Sequence, residues 1–514
     1  MKKIATIACL VLITMASAHA QKLTIDNVHK MDLRNASAIR EGSEVKGYYF
    51  FYVSDKIDKR TNEYTLQITD ENLTKLKDIK FQDSKDISII ESSFNGSDLI
   101  FLFYNEKDRT FEYQVFGADA RKKFSYHRQL SKKEERYLEE SYLSDDEDQT
   151  YKGIYPIDGK GFISNMPSRE DKDFTFQIDF FSSEKRKQWT YIPTAGGKRF
   201  IGDYLGSYNG VVYIEVLKLT SALDQKPESY VIGLNLETGK QVFEKSTEKS
   251  KYKFYPASMS VLNNGKAYLF GEYFDPNGNI GKDKSLGFAF WEMDEKGNVI
   301  SEKYNSWDLE LGKFLSVSSK GKIDDFGFMF LHNIIQTADG SIFAVGEGYK
   351  KVASALGIIS KIATRGGGGA SVTKIKVTDM IMIKFDKDFN VKGATIYDKN
   401  SNNHEMPSGA AYVSTPLLGK LVKSYGGFDY SYMQWNKDYS SFTVCYSDYV
   451  RGKDYKGTTF NSLTYNEGKV STDKINTKTK STWSIVLPGR QGQVLLMDYY
   501  KKEKKLDAHV EKLN

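Results

Sequence analysis

The feature that most constrains this chain is a short polar turn that keeps returning. It stands at Asn95-Gly96, Asp158-Gly159, Asn209-Gly210, Asn264-Gly265, Asp339-Gly340 and Arg490-Gln491-Gly492. After it comes an apolar run of strand length, as at residues 99–103, 211–217, 267–273 and 342–345. A second set of turns alternates with the first, at residues 69–72, 117–119, 237–240, 294–297, 386–388 and 466–469. These are flanked by alternating apolar residues, as in Met382-Ile383-Lys384-Phe385, and alternation at period two predicts strands with one buried face. A complete unit runs from 257 to 304, with strands predicted at 258–262, 267–274, 287–293 and 299–304. Four short strands in a meander make one propeller blade.

Seven such units can be read, followed by a remnant of three strands at 483–487, 494–500 and 506–513. One further strand, at 23–29, has no partner of its own. Pairing the two ends completes the remnant and removes open strand edges that invite aggregation. The expectation is therefore an all-β fold, a β-propeller of eight four-stranded blades closed by its N-terminal strand. Seven blades would follow from one misread unit, and a two-domain β-sandwich is the rival architecture. The composition agrees: 34 Tyr and 31 Phe favour pleated, half-buried surfaces, and 41 Gly against 9 Pro supply turns without breaking strands.

Residues 21–514 read as this single domain, with helical or loop insertions near 129–150, 305–327, 349–374 and 399–428 and a shorter one at 218–228. They fall between blades or between second and third strands, so they should crown one face, where binding sites tend to sit. Ser131-Lys132-Lys133-Glu134 has the pattern of a capping box and predicts a short helix. The run 352–363 is rich in Ala, Ile and Leu, and ends at Arg365 and four glycines. It predicts a second helix, serving either as a lid or partner-docking helix or, more simply, to bury an apolar side on the propeller.

Residues 1–20 predict export. Lys2 and Lys3 precede an apolar run from Ile4 to Met15, and Ala18-His19-Ala20 is a small-x-small cleavage pattern that would start the mature chain at Gln21. The run is too short to span a bilayer, and no later stretch is long and apolar enough, so no transmembrane segment is expected after cleavage. The predicted location is the periplasm or beyond it. The remaining chain carries 71 basic against 67 acidic residues, interspersed as in Lys56-Ile57-Asp58-Lys59, which excludes a nucleic-acid stripe. Cys445 then stands alone, in the apolar run Phe442-Thr443-Val444-Cys445-Tyr446, and reads as a buried thiol.

No catalytic set emerges. The histidines His29, His127, His332, His404 and His509 have no metal-ligand spacing. Nucleophile-elbow, phosphate-loop and dinucleotide motifs are missing. Asp145-Asp146-Glu147-Asp148 lacks the spacing of a calcium loop, and Asp275-Pro276-Asn277-Gly278 is first of all a turn. No metal and no cofactor are expected.

The stretch Leu234-Asn235-Leu236-Glu237-Thr238-Gly239-Lys240-Gln241-Val242-Phe243 resembles the repeat of quinoprotein-like propellers, with Phe243 where those repeats carry tryptophan. The resemblance implies blade geometry. It does not carry the quinone cofactor, because the adjacent cysteines of those enzymes have no counterpart here. Strings such as Gly47-Tyr48-Tyr49-Phe50-Phe51-Tyr52-Val53 and Phe288-Ala289-Phe290-Trp291-Glu292-Met293-Asp294 resemble a family of uncharacterised exported proteins of Bacteroidetes-type bacteria.

These readings converge on a non-catalytic binding or scaffold protein of the bacterial envelope, expected to be monomeric, whose partner is a glycan, a peptide or an envelope protein. An enzyme acting on a glycan or peptide is the alternative. A structural partner of the envelope would instead display an apolar patch near 352–363. First strands of blades line a central channel, which points to Tyr151, Tyr204, Tyr255, His332 and Asn333 as ligand-binding residues. Trp307 and Asp308 join them from the adjoining loop. Amphipathic rings can stack on a sugar or hold a peptide; the simpler role is to plug the channel.

Overall fold

The structure, a computed structural model, describes residues 21–513 apart from 118, 140–151, 171–172, 195, 221–225, 247–249, 353–372, 407–409, 411, 453–454 and 478. Its described strands form successive antiparallel meanders. The first begins with Ala36–Glu41 and the second with Ile87–Phe94. The third begins with Ile154–Ile157, the fourth with Arg199–Tyr208 and the fifth with Lys253–Val261. The sixth begins with Phe328–Gln336, the seventh with Tyr430–Trp435 and the eighth with Trp483–Pro488. The first seven have four strands in sequence order; among the described residues only the sixth adds a fifth, Asn402–Met406, and the third and fourth touch through one bridge, Phe174 to Arg199.

The eighth meander takes its fourth strand from the other end of the chain. Lys22–Asp26 pairs antiparallel with Lys505–Lys512, from Lys22 opposite His509 to Asp26 opposite Lys505. Ile25, Val28 and Met31 are then buried among Leu487, Leu495, Met497 and Leu506.

Burial explains the sequence pattern within a meander. Second strands such as Val211–Leu219 are buried on both faces and read as continuous apolar runs. Fourth strands such as Lys75–Ser84 are mostly exposed and lysine-rich, which protects their open edges. Both faces are covered because meanders pack on one another. Tyr49 and Phe51 of the first meet Phe101 and Phe103 of the second. Phe270 and Phe290 of the fifth meet Ile381 and Phe385 of the sixth. Similar clusters join the second to the third, third to fourth, fourth to fifth, sixth to seventh and seventh to eighth. The eighth packs on the first, through Tyr499 and Met497 against Tyr48 and Phe50.

Most first strands are bulged. The register slips at Ile90, Leu205, Ala257, His332 and Ser431, each an extra residue in the first strand of its meander. A bulge increases local twist and re-aims the neighbouring side chains. It also explains why the fifth meander starts earlier than its alternation suggests: past Ala257, Lys253–Pro256 resumes pairing with Gly271–Phe274.

The predicted capping box is present. Ser131 N–H donates to Glu134 Oε2 at 2.9 Å and Glu134 N–H to Ser131 Oγ at 3.2 Å, opening helix α1, Lys132–Glu139. The predicted helix at 352–363 lies almost wholly outside the described residues. The insertion at 305–327 holds only one 3-10 turn, Leu311–Lys313. The insertion at 399–428 carries a helix that the sequence reading did not single out: α2, Thr415–Ser424.

Candidate functional site

Helix α2 organises the site. Pro416 sits in its first turn, where a missing N–H costs no hydrogen bond. The helix stops at Gly426, whose φ is +63°, a value suited to glycine. There Gly427 N–H donates to the Val422 carbonyl at 2.8 Å and Gly426 N–H to that of Lys423 at 3.1 Å, the paired bonds of a Schellman ending. Leu418 and Val422 are buried with Tyr349, Ile375, Val377 and Phe428 of the sixth meander and its insertion. Leu417 packs on Leu217, Tyr255 and Phe274 of the fourth and fifth meanders. One short helix thus spans three meanders.

Its lysines reach polar groups of the strands beneath. Lys420 Nζ lies 2.7 Å from Asp203 and 3.3 Å from Glu215, and 4.5 Å from the centre of the Tyr255 ring. Ser229 Oγ donates to the other oxygen of Glu215 at 3.0 Å. Burial pushes Glu215 up to about 7, against the pull of Lys420. Burial also opposes the charge of Lys420, but Asp203 and Glu215 outweigh it and hold the lysine protonated.

Glu215 has counterparts. It pairs with Asp203, Glu272 pairs with Tyr255 and Glu347 with Phe330, each two positions ahead of the first-strand bulge of its meander. Three consecutive meanders therefore carry a glutamate at the same register, under α2 and the segments beside it. Glu272 accepts a hydrogen bond from Ser285, and burial pushes it up to about 7. Glu347 is fully buried, 3.0 Å from His332 and 3.4 Å from Lys399, and accepts from the backbone N–H of Asp429 and Tyr430. Burial favours its neutral form, yet His332, Lys399 and those N–H groups keep it below the usual carboxylate range. Burial lowers His332, against the pull of Glu347.

Beside α2 lies a cleft of about 380 Å³. Phe174, Phe176, Phe200, Ile201, Leu217 and Leu421 contribute to its apolar wall, and Asp203, Glu215 and Lys420 sit in it as the polar group. Among the described residues no cluster of three potential metal ligands occurs.

The residues expected from sequence fall in different places. Tyr151 lies outside the described residues. Tyr204 and Tyr255 are on first strands near α2. Tyr204 stacks on Tyr155 at 4.1 Å, and Tyr255 is buried beneath Lys420 and lines the cleft. His332 and Asn333 are on the sixth first strand, tied to Glu347 and, through a 3.1 Å bond from Asn333 Nδ2, to Tyr430. Trp307 is only 3% exposed, with its indole N–H donating to the Ser285 carbonyl at 2.9 Å, and Asp308 beside it is exposed. Trp307 meets Glu272 and Ser285 at a separate, small recess, away from the cleft. Sequence reasoning missed Lys420, Asp203 and the glutamates. Their signal was there: a Glu late in the apolar run after Gly210, Gly265 and Gly340, found only by aligning the runs with one another.

The chain belongs to DUF6770, a family of unknown function whose model matches residues 1–514. No curated protein matches it in sequence. Among solved structures it is similar to the quinohemoprotein alcohol dehydrogenase ADHIIG of Pseudomonas putida HK5, at 10% identity and a TM-score of 0.44, covering 95% of this chain and 77% of that one. It is also similar to a putative dipeptidyl aminopeptidase IV of Bacteroides ovatus, at 11% identity and a TM-score of 0.31, covering 64% and 46% of the two chains. A puromycin hydrolase matches at 8% identity and a TM-score of 0.34, over 92% and 53%.

Proposed function

We propose that this chain is a non-catalytic binding protein of the bacterial envelope, exported to the periplasm or beyond. In this reading it is an eight-bladed propeller closed by its N-terminal strand, taking a small amphipathic ligand, a peptide or glycan segment, in the cleft beside α2. Support for the closed ring comes from the succession of packed meanders, with the eighth on the first, and from the pairing of Lys22–Asp26 with Lys505–Lys512. The observation that carries the binding reading is the cleft itself. It is concave, mostly apolar and walled by strands and a helix, with a few convergent polar groups, which is how small-molecule sites are built. Its charged groups are engaged with one another, as suits orientation of a ligand more than chemistry upon it.

The test is a thermal-shift screen of oligosaccharides and short peptides on the parent chain and on Ile201→Trp, which fills the cleft from a position 39% exposed. A ligand that stabilises the parent and loses its effect in the variant supports the cleft. One that stabilises both equally binds elsewhere, and the assignment fails.

One observation favours the enzymatic alternative. Glu215, pushed up to about 7, has Asp203 within reach of the same lysine, and a carboxyl poised near neutrality suits general acid–base work. Hydrolysis of a bound glycan or peptide by the parent, abolished in Glu215→Gln with binding retained, would establish the enzyme and displace the binding reading.

A further inference from the structure

Asp203 and Glu215 stand directly opposite each other on neighbouring strands, Arg199–Tyr208 and Val211–Leu219. Like charges so placed repel. Lys420 of α2 answers both, at 2.7 Å and 3.3 Å. All three side chains line the cleft beside α2, so its wall holds two acids to one base. Lys423, the next charged residue of α2, is attracted by Asp203 but lies over Phe330 at 5.6 Å and is not part of the wall. Arg199, over Phe174 at 5.9 Å, is exposed and likewise outside it.

The two carboxyls differ in what they leave free. The Glu215 side chain is 1% exposed, with one oxygen taken by Ser229 at 3.0 Å and the other by Lys420. The Asp203 side chain is 42% exposed; Lys420 takes its Oδ2, and Oδ1 has no hydrogen-bond partner among the described residues. The short hydroxyls of the wall are spent as donors, Thr175 on the Pro193 carbonyl at 3.2 Å and Ser424 on the Leu421 carbonyl at 2.9 Å. What the cleft holds out to a ligand is therefore an anionic acceptor, set in a mostly apolar wall.

We propose that the cleft takes the free N-terminus of an apolar peptide, with its ammonium on Asp203 and its first side chains on the apolar wall. This rests on the reading of the cleft as the binding site and narrows what that site binds. A hydrogen bond between an ammonium and a carboxylate is shorter and stronger than one between neutral groups. A second cation also relieves the repulsion between the two carboxyls. Burial and Asp203 raise Glu215 to about 7 against Lys420, and a bound ammonium pulls it back down. The volume, about 380 Å³, is at the small end of ligand pockets, roughly 300–1,000 Å³, which suits the first residues of a peptide more than a long segment. A glycan, with hydroxyls on every side, would leave many of them unpaired against this wall.

The experiment is calorimetric titration of the full mature chain with phenylalanyl-leucine amide and, separately, with its N-acetyl derivative, which keeps the same apolar groups without the ammonium. At about pH 6.5, where an α-amino group is protonated, the free amine should bind tighter by roughly tenfold or more, the effect of one hydrogen bond to a charged group. Asp203→Asn should bring the two peptides to within about twofold of each other. Ile201→Trp should abolish binding of both. Equal affinities in the parent, with both lost in Ile201→Trp, overturn the peptide-terminus assignment and leave the cleft as a binding site. A preference that survives Asp203→Asn, or no binding of either peptide by the parent, also overturns the assignment. Binding undiminished in Ile201→Trp overturns the cleft reading with it. Should Asp203→Asn not fold, the parent is titrated again at about pH 9.5, above the ordinary α-amino value of about 8. The preference should collapse there, and one as large as at the lower pH overturns the assignment.

Discussion

Deleting Lys22–Met31 removes the fourth strand of the eighth meander together with the bridge from Lys30 to Val53 of the first. Ile25, Val28 and Met31 are 6%, 0% and 2% exposed, so each contributes nearly its full burial. At about 2 kcal/mol for each apolar side chain, the three contribute about 6 kcal/mol. Five residue pairs with Lys505–Lys512 and the bond from Val28 N–H to the Lys504 carbonyl go with them. The loss is of the size of a whole domain's stability, about 5–15 kcal/mol. It also bares the strand Lys505–Lys512 as an open edge, a template for pairing between molecules. Urea unfolding followed by tryptophan fluorescence, with light scattering in parallel, should therefore show a lower midpoint and concentration-dependent association. A midpoint and scattering equal to the parent's would refute the reasoning, because the eighth meander would then stand without its borrowed strand.

Other perturbations test the interior. Glu272 has a folded value of about 7 against an ordinary 4.5, so its contribution is fully present below pH 4.5 and lost as pH rises through 7. Glu272→Gln should flatten the fall in stability between pH 5 and 8 by up to about 3 kcal/mol, read as urea midpoints at the two pH values. Cys445 is fully buried and pushed up to about 12 by burial, so it should ignore a thiol reagent in the native state and react once the chain is unfolded. Gly426→Ala forces a left-handed residue to carry a side chain and should destabilise by about 1 kcal/mol, lowering the thermal midpoint.

Legibility in the sequence followed how local each cause was. The turn at Asn264-Gly265 is set by residues within the turn, and Gly265 takes φ +73° there, so strands on either side could be bounded from sequence. The strands Ala267–Phe274 and Gly287–Met293 begin and end where the alternation places them. The bulge at Ala257 depends instead on how the first strand twists against its neighbours, and sequence alternation alone set the strand's start too late. Helix α2 was hidden for a related reason. Leu417, Leu418, Leu421 and Val422 have helical spacing, and Gly426-Gly427 supplies a stop, but ten residues give a weak signal inside a long insertion. Its stability comes from three meanders that the local sequence does not mention.

The same distinction separates the two kinds of candidate residue. Tyr204, Tyr255 and His332 were found by asking which strand lines the inside, a question that the repeat answers. Trp307 was chosen as an amphipathic residue in a loop, yet its indole is held in the core by Phe288 at 4.3 Å and by Ser285, because the loop folds back onto the fifth meander. The charged residues needed a further step: comparison of meanders at equal register. Glu215, Glu272 and Glu347 share one register but not one environment. Lys420 meets the first, Ser285 the second, and His332 with Lys399 the third. A repeat that places a carboxyl inside the fold several times must satisfy each one, since an uncompensated buried charge is costly. Ser229 and His332 among the partners are on repeat strands, whereas Lys420 of α2 and Lys399 ahead of it come from outside the regular repeat. That makes the irregular segment between the sixth and seventh meanders a part of the chain where sequence changes would re-tune the charges around Glu215 and Glu347.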